Sequence, residues 1–414
     1  MNELKKRQIA VVVGSGFSAS LTTGRAPLIG NQPMPTLGDL AEAMLGHLNA
    51  VSGELPFPEQ VINETISILE SNQRQPRERR FDFEQLLSLV AIKSGFVSNS
   101  DISQSRARLM AQVLQCLIYL IPSLFAQRLA IDGKLMKNRN LFYSVKSKGR
   151  VQAIQAALRQ LVDQNEVTFI TFNYDGLIEA FLDCDMGISG PGQKPVFRYF
   201  PEISHGFRMV MPEHVFGTKD TRDFSRFGKV PRVLKPHGSM HFYRVKAAMR
   251  NLTNSPQIVA LHPRFDIDFD PKTMQRDIPH IEFWEYADPI PFIVPPVFNK
   301  DSFLAEDYAK VIFGQAESAL MDAAAILVLG FSIPRSDLHI NALLEYVAEQ
   351  RKTMPPIGLV YLKGESDETL ANWQRIFGEP AVRKIENRGL PTQTDEEVTQ
   401  LWAKLLDFAR TANS

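Results

Sequence analysis

The stretch IAVVVGSGFSAS (9–20) decides the fold. Its first five residues form a short, β-branched apolar run that stops at Gly14. Such a run reads as a strand buried on both faces, as parallel sheets use. Gly14 and Gly16 then place backbone N–H groups where they can approach a pyrophosphate, with the start of a helix behind them as the anion-favouring end. A plain tight turn is the other use of the same glycines. The loop is not a Walker A loop, because no Gly-Lys-Ser/Thr follows. It also departs from the dehydrogenase fingerprint: about 20 residues on, where an acidic strand end is expected, stands the Gly/Pro/Asn-rich loop TTGRAPLIGNQPMP (22–35).

Thr36 begins a helix, with Asp39 as capping-box partner. Leu37, Leu40, Ala41, Met44, Leu45 and Leu48 fall on one helical face. The pattern stays almost wholly helical from about 58 to 165, with stripes at Phe83, Leu86, Leu87 and Val90 and at Val151, Ile154, Leu158, Leu161 and Val162. RQPRERR (74–80) is a basic run read as a solvated linker face. Strand signals return at VTFIT (167–171), PRVLKPHGSMHFYRV (231–245), PFIVPPVF (291–298), AAILVLG (324–330) and IGLVYLK (357–363), the last strand expected. Helices are expected at about 305–322, beyond a Ser336 cap, and at 395–409. Strands separated by helices predict an α/β, Rossmann-like parallel sheet. The expected division is a discontinuous Rossmann domain, 1–36 with 165–414, and a large helical insertion module at 37–164.

Three further segments carry candidate chemistry. In TFNYDG (171–176), Asn173 can donate and accept at a ribose or a reacting water, and Asp175 can fix a hydroxyl or amide; an Asx-type turn capping the helix GLIEAFL is the alternative. In LKPHGSMH (234–241), Pro236 and Gly238 pin the backbone around His237, a candidate general base near neutral pH. A His237/His241 metal pair is disfavoured, because Gly238 interrupts the helix that would align both rings. LGFSIPRSD (329–337) is a second glycine-containing strand end, where Gly330 and Ser332 can meet a ribose or phosphate, or simply form a strand-to-helix loop.

Composition narrows the classes. The 414 residues carry 46 Lys plus Arg and 46 Asp plus Glu, so no global basic field holds nucleic acid or an anionic membrane, and nucleic-acid binding would need a local patch. Two cysteines, Cys116 and Cys184, are too few for a four-thiolate zinc site or an iron–sulfur cluster. The apolar run after the basic N-terminus is too short for a secretory core. The stretch 113–131, interrupted by Gln115, Pro122, Gln127 and Arg128, reads as buried helix and not as a membrane span. The expectation is a soluble, cytoplasmic protein. Asp266, Asp268 and Asp270 read as a solvated edge strand, not as a nuclease metal cluster.

In order and spacing, GSGFS, TFNYD, KPHGS and VLGFSIPRSD together resemble the sirtuin superfamily, most closely the bacterial sirtuin-like proteins of anti-phage defence. FDFEQLLSLV (81–90) and IVPPVFNKD (293–301) are similar to features of that branch. The resemblance runs from about 8 to about 410. It implies that Gly14, Ser15, Gly16 and Ser18 bind NAD phosphates, and that Gly330 and Ser332 contact the adenosine half. It further implies that Asn173 and Asp175 position the nicotinamide ribose and the nucleophile, while His237 acts on the ribose hydroxyls. Deacetylating sirtuins carry a four-cysteine zinc ribbon between the His-Gly motif and the late glycine loop, whereas 239–329 here contains no cysteine. The implied activity is therefore zinc-free and metal-free NAD hydrolysis to ADP-ribose and nicotinamide. The implied control is by homo-oligomer assembly, a phage-derived activator or a HerA-type ATPase partner. A non-catalytic NAD- or ADP-ribose-binding subunit and an ADP-ribosyltransferase are the alternatives.

Overall fold

An all-apolar strand belongs in the middle of a covered sheet, and β1 (Arg7–Val13) lies there, buried from Ile9 to Val13. The structure is a computed structural model. It describes residues 6–23, 27–95, 101–129, 142–182, 209–210, 231–245, 257–260, 264–265, 290–293, 307–334, 337–361, 366–386 and 394–411.

β1 leads into α1 (Ser15–Thr22), and α2 (Leu37–Val51), α3 (Glu59–Gln73), α4 (Phe83–Gly95) and α5 (Asp101–Leu129) follow. β2 (Phe142–Tyr143) and α6 (Lys148–Gln164) precede β3 (Asn165–Thr171), which runs toward α7 (Leu177–Leu182). Next come β4 (Met209–Val210), β5 (Arg232–Leu234), β6 (Gly238–Val245), β7 (Gln257–Ala260), β8 (Arg264–Phe265) and β9 (Ile290–Ile293). The chain then forms α8 (Asp307–Asp322), β10 (Ala325–Leu329), α9 (Leu338–Gln350) and β11 (Ile357–Val360). It closes with α10 (Ser366–Phe377), β12 (Val382–Glu386) and α11 (Asp395–Thr411).

The main sheet has six strands in the order β12-β11-β10-β1-β3-β5, and every neighbouring pair is parallel. Taken in chain order, these strands lie as 3-2-1-4-5-6, the Rossmann arrangement. β10 and β11 are buried throughout, which explains why they read as continuous apolar runs and not as alternating ones. The strand order reverses at β1, between β1 and β10. In open α/β sheets the ligand crevice opens at that reversal, beyond the carboxyl ends of the strands.

Several local expectations are met. Leu40, Ala41, Met44, Leu45 and Leu48 face the core along α2, as do Phe83, Leu86, Leu87 and Val90 along α4. Thr36 precedes α2, and its hydroxyl donates to Asp39 Oδ2 at 2.9 Å. Arg74 to Arg80 are all exposed. Within α5, Ser103–Leu129 is long and apolar enough to cross a membrane, but 61% of its most apolar window is buried inside the protein. It packs against α3, α4, β6 and β9.

Other elements differ. β11 is not the last strand: β12 adds an edge, and its sequence VRKIE has three charged residues among five, as an edge strand tolerates, which weakens the signal. The stretch 231–245 is two strands in two sheets. β5 ends the parallel sheet, whereas β6 lies antiparallel to β7 and β9 in a four-stranded sheet. Asp337 caps α9, accepting from Ile340 N at 3.4 Å; Ser336 lies outside the described residues, as do Cys184 and Asp266, Asp268 and Asp270. The last helix of 37–164, α6, packs against α11 and β3, alongside the sheet.

Candidate functional site

Each of the four motifs follows directly on one of four adjacent parallel strands. Gly14 follows β1, Asn173 follows β3, His237 follows β5 and Gly330 follows β10. Parallel pairing therefore carries all four to one end of the sheet, at the strand-order reversal.

The glycines fasten that end. Gly14 N donates to Leu329 O and Gly16 N to Gly330 O, both at 3.0 Å. A Cβ on Gly14 would lie 2.5 Å from Gly330 O, and one on Gly330, at φ +62°, would lie 2.3 Å from Phe17 N. The N–H groups of Gly14 and Gly16, expected to face a pyrophosphate, are thus spent on joining β1 to β10. The glycines serve close backbone approach. Ser15 is half-buried at the start of α1, and Ser332 presents its carbonyl to Asn372 Nδ2 at 3.2 Å. No described hydrogen bond links either serine to the other candidate residues.

Asn173, Ser18 and Asp175 form one buried network. Asn173 Nδ2 donates to Gly14 O and to Ser18 Oγ, each at 2.9 Å. The Ser18 hydroxyl donates onward to Asp175 Oδ2 at 2.5 Å. Asp175 Oδ1 accepts from Leu177 N at 3.0 Å, so the Asx-type cap of α7 and the link to the first glycine loop are both present. Burial pushes the Asp175 carboxyl above its ordinary range, while Lys235 and the Ser18 hydroxyl pull it back. Ser18, Asn173 and Asp175 are 2, 7 and 4% exposed, so water competes little for these bonds.

His237 is the third residue of a turn closed by Gly238 N donating to Lys235 O at 2.9 Å. Pro236 and Gly238 occupy the second and fourth positions, which those residues favour. Gly238 has φ +70°, and a Cβ there would lie 2.3 Å from Phe292 O. The imidazole Nε2 stands 2.8 Å from Asp337 Oδ2, and both residues are buried. Its ring centroid lies 5.5 Å from Phe172, which stacks on Phe331 at 4.6 Å and so ties the His turn to the late glycine loop. Glu84, from α4, joins this pair: one ligand-type atom each of Glu84, His237 and Asp337 lies within 4.8 Å of the others. A cation could be offered these groups, but the His237–Asp337 distance is already that of a direct imidazole–carboxylate pair.

A second buried cluster supports the turn from behind. Lys235 Nζ donates to Asp175 O at 2.5 Å and stands 3.1 Å from Glu179 Oε1. Ser239 donates to Tyr174 O at 2.8 Å, which leaves its oxygen to accept from His241 Nδ1 at 2.8 Å. His241 Nε2 is 3.3 Å from the same Glu179 oxygen, so both ring nitrogens face acceptors and the ring is best satisfied as imidazolium. Burial opposes ionisation of Glu179, yet Lys235 and His241 hold it down at about 2. His237 and His241 thus turn to different partners and form no metal pair.

No protein-family model matches the chain, and no curated protein does. Sequence reasoning passed over Glu84, Glu179, Lys235, Ser239 and Asp337. The available signals were lone charged residues within apolar runs: Glu179 in GLIEAFL and Lys235 in RVLKP. A depression of about 450 Å³, lined by Thr22, Gly30, Lys146 and Arg150 among others, lies elsewhere, and none of Asn173, Asp175 and His237 borders it.

Proposed function

We propose that the chain is a sirtuin-like NAD glycohydrolase that converts NAD+ and water to ADP-ribose, nicotinamide and a proton. The observation that carries this reading is the convergence of Asn173, Asp175, His237 and the Gly14/Gly330 contact beyond adjacent parallel strands at the strand-order reversal. Breaking the nicotinamide–ribose bond develops positive charge on the ribose. The reaction needs an oriented substrate, a group acting on the ribose hydroxyls and a placed water. In this reading Asn173 and Asp175 orient the ribose and the water, and His237 takes up a proton. Ser15 and Ser332 hold the ADP portion, while Gly14, Gly16 and Gly330 keep the two loops close enough to form that side of the crevice. No step requires zinc.

Such an activity suits a cytoplasmic defence protein that empties an infected cell of NAD. It also requires restraint, which we assign to homo-oligomer assembly and to an activator, a phage product or a HerA-type ATPase. The rival reading is a non-catalytic subunit that binds NAD or ADP-ribose.

Purified protein incubated with NAD, with and without candidate partners, decides between them by chromatography of the products. Equal amounts of nicotinamide and ADP-ribose are expected. His237→Ala and Asn173→Ala should each slow release by at least ~10²-fold, the scale of a lost positioned acid–base group. Near wild-type turnover in both variants would overturn the assignment. Binding without release supports the regulatory subunit, and label on protein or nucleic acid supports an ADP-ribosyltransferase.

A further inference from the structure

His237 is held from two directions that no single motif contains. Asp337 divides its carboxylate: Oδ1 caps α9 through Ile340 N, while Oδ2 stands 2.8 Å from His237 Nε2. Its backbone is fixed too, because Asp337 N donates to Pro334 O at 3.2 Å and Asn341 Nδ2 donates to Asp337 O at 2.8 Å. Asp337 is 1% exposed.

The other direction is the helical insertion. Two devices fix the start of α4, where Glu84 sits. Asn72 clamps Phe81, donating to its carbonyl and accepting from its N–H, each at 2.9 Å. Asp82 and Gln85 then cap reciprocally: Gln85 N donates to Asp82 Oδ1 at 2.8 Å, and Asp82 N donates to Gln85 Oε1 at 3.1 Å. These bonds set the rotation of the first turn. Phe83 and Glu84 point inward, and Glu84 is 5% exposed. The hydroxyl of Tyr174, next to Asn173, is also buried there, with no hydrogen-bond partner among the described residues; burial first, then the charges of Glu84 and Asp337, hold its proton on.

We propose that Asp337 and Glu84 are the positioning residues of His237, one from the cap of α9 and one from the helical insertion, so that the insertion forms part of the reaction centre. A carboxylate at Nε2 keeps the neutral ring's proton on that nitrogen, so that protonation of the neutral ring takes place at Nδ1. It also stabilises the imidazolium that results. Among the described residues, the ionisable groups around His237 are Asp337 from α9, Glu84 from α4 and Tyr174 from the loop after β3. Lys235, two residues away, is engaged with Glu179 and Asp175.

The role of His237 in turnover rests on the NAD reading, but the pairing does not, so the test reads the ring directly. Imidazole resonances of the protein labelled at its 8 histidines are followed through a pH titration without NAD, and His237 is assigned by its loss in His237→Gln. Asn remains a competent cap, so Asp337→Asn keeps α9 while removing the charge. The His237 midpoint should fall by roughly one unit or more in Asp337→Asn, and by a smaller step in the same direction in Glu84→Gln. If NAD is turned over, the His237-dependent limb of the rate profile should move to lower pH in both variants. In Asp337→Asn, kcat should fall about 10- to 10²-fold with little change in KM. Midpoints unmoved in both folded variants overturn the proposal. A fall confined to Asp337→Asn overturns the part played by Glu84. Shifted midpoints in a protein that leaves NAD intact uphold the pairing and sink the glycohydrolase reading.

Discussion

The Ser18 hydroxyl donates to Asp175 Oδ2 at 2.5 Å, joining α1 to the loop after β3. Because the same oxygen accepts from Asn173 Nδ2, removing it leaves a buried donor and a buried acceptor short of one partner each. Ser18→Ala should therefore cost about 1–3 kcal/mol, read as a lower thermal unfolding midpoint. If the protein cleaves NAD as proposed, Ser18→Ala should also slow nicotinamide release. An unchanged midpoint would show that water replaces the hydroxyl.

Two glycines offer opposite expectations for one substitution. Gly330 has a left-handed φ and backbone atoms of Gly16 and Phe17 within 3 Å of a built Cβ, whereas Gly314, inside α8, meets nothing within 4 Å. Gly314→Ala should raise the unfolding midpoint by the equivalent of about 0.5–1 kcal/mol. Gly330→Ala should lower it by more than about 2 kcal/mol, because β10 must be pushed off α1. Midpoints that move in the same direction would contradict the described contact.

Glu179 should make stability depend on pH. Its carboxyl is depressed from an ordinary 4.5 to about 2 by Lys235 and His241, against the opposing effect of burial. A depressed carboxyl contributes stability in full above about 4.5, and that contribution is lost as pH falls toward about 2. Glu179→Gln leaves the buried cations of Lys235 and His241 without their anion. It should cost about 3–5 kcal/mol near pH 6. The gap between wild type and variant should narrow when melting is repeated near pH 3; a gap independent of pH would contradict the ion pair.

Trp373 braces the late glycine loop. Its Nε1–H donates to Phe331 O at 3.0 Å, and its ring stacks on Phe377 with centroids 5.5 Å apart. Trp373→Phe keeps most of the packing and loses the donor, so the loop carrying Gly330 and Ser332 loosens. If NAD is the substrate as proposed, its KM should rise several-fold with kcat nearly unchanged. A fall in kcat alone would place Trp373 in a different role.

Elements whose signal lies within a few residues were legible in the sequence. β1, β3, β10 and β11 announce themselves as apolar runs, and the turn Lys235-Pro236-His237-Gly238 has the composition its geometry requires. β12 was missed because an edge strand need not be apolar on both faces. The site was legible as motifs but not as pairs. Nothing near His237 in the chain indicates that its partner is the residue capping α9, and Glu84 lies on an insertion that reads as a self-contained helical unit. Glu179 would ordinarily mark the wet face of a helix, yet α7 is buried all round. Its partners arrive from elsewhere, Lys235 from the turn after β5 and His241 from β6.

The pairing of β1 with β10 has a consequence during synthesis. β1 emerges first from the ribosome, but Ile9 to Val13 pair with Ala325 to Leu329. At roughly 5–20 residues per second, that partner follows on the order of 15–60 s later. Until then the crevice beside Gly14 lacks one wall, although α2 to α5 have their own helical contacts and can settle early. A nascent or truncated chain therefore carries His237 without Asp337 or Gly330. The crevice takes its full form only after Gly330 and Asp337 have emerged, late in translation.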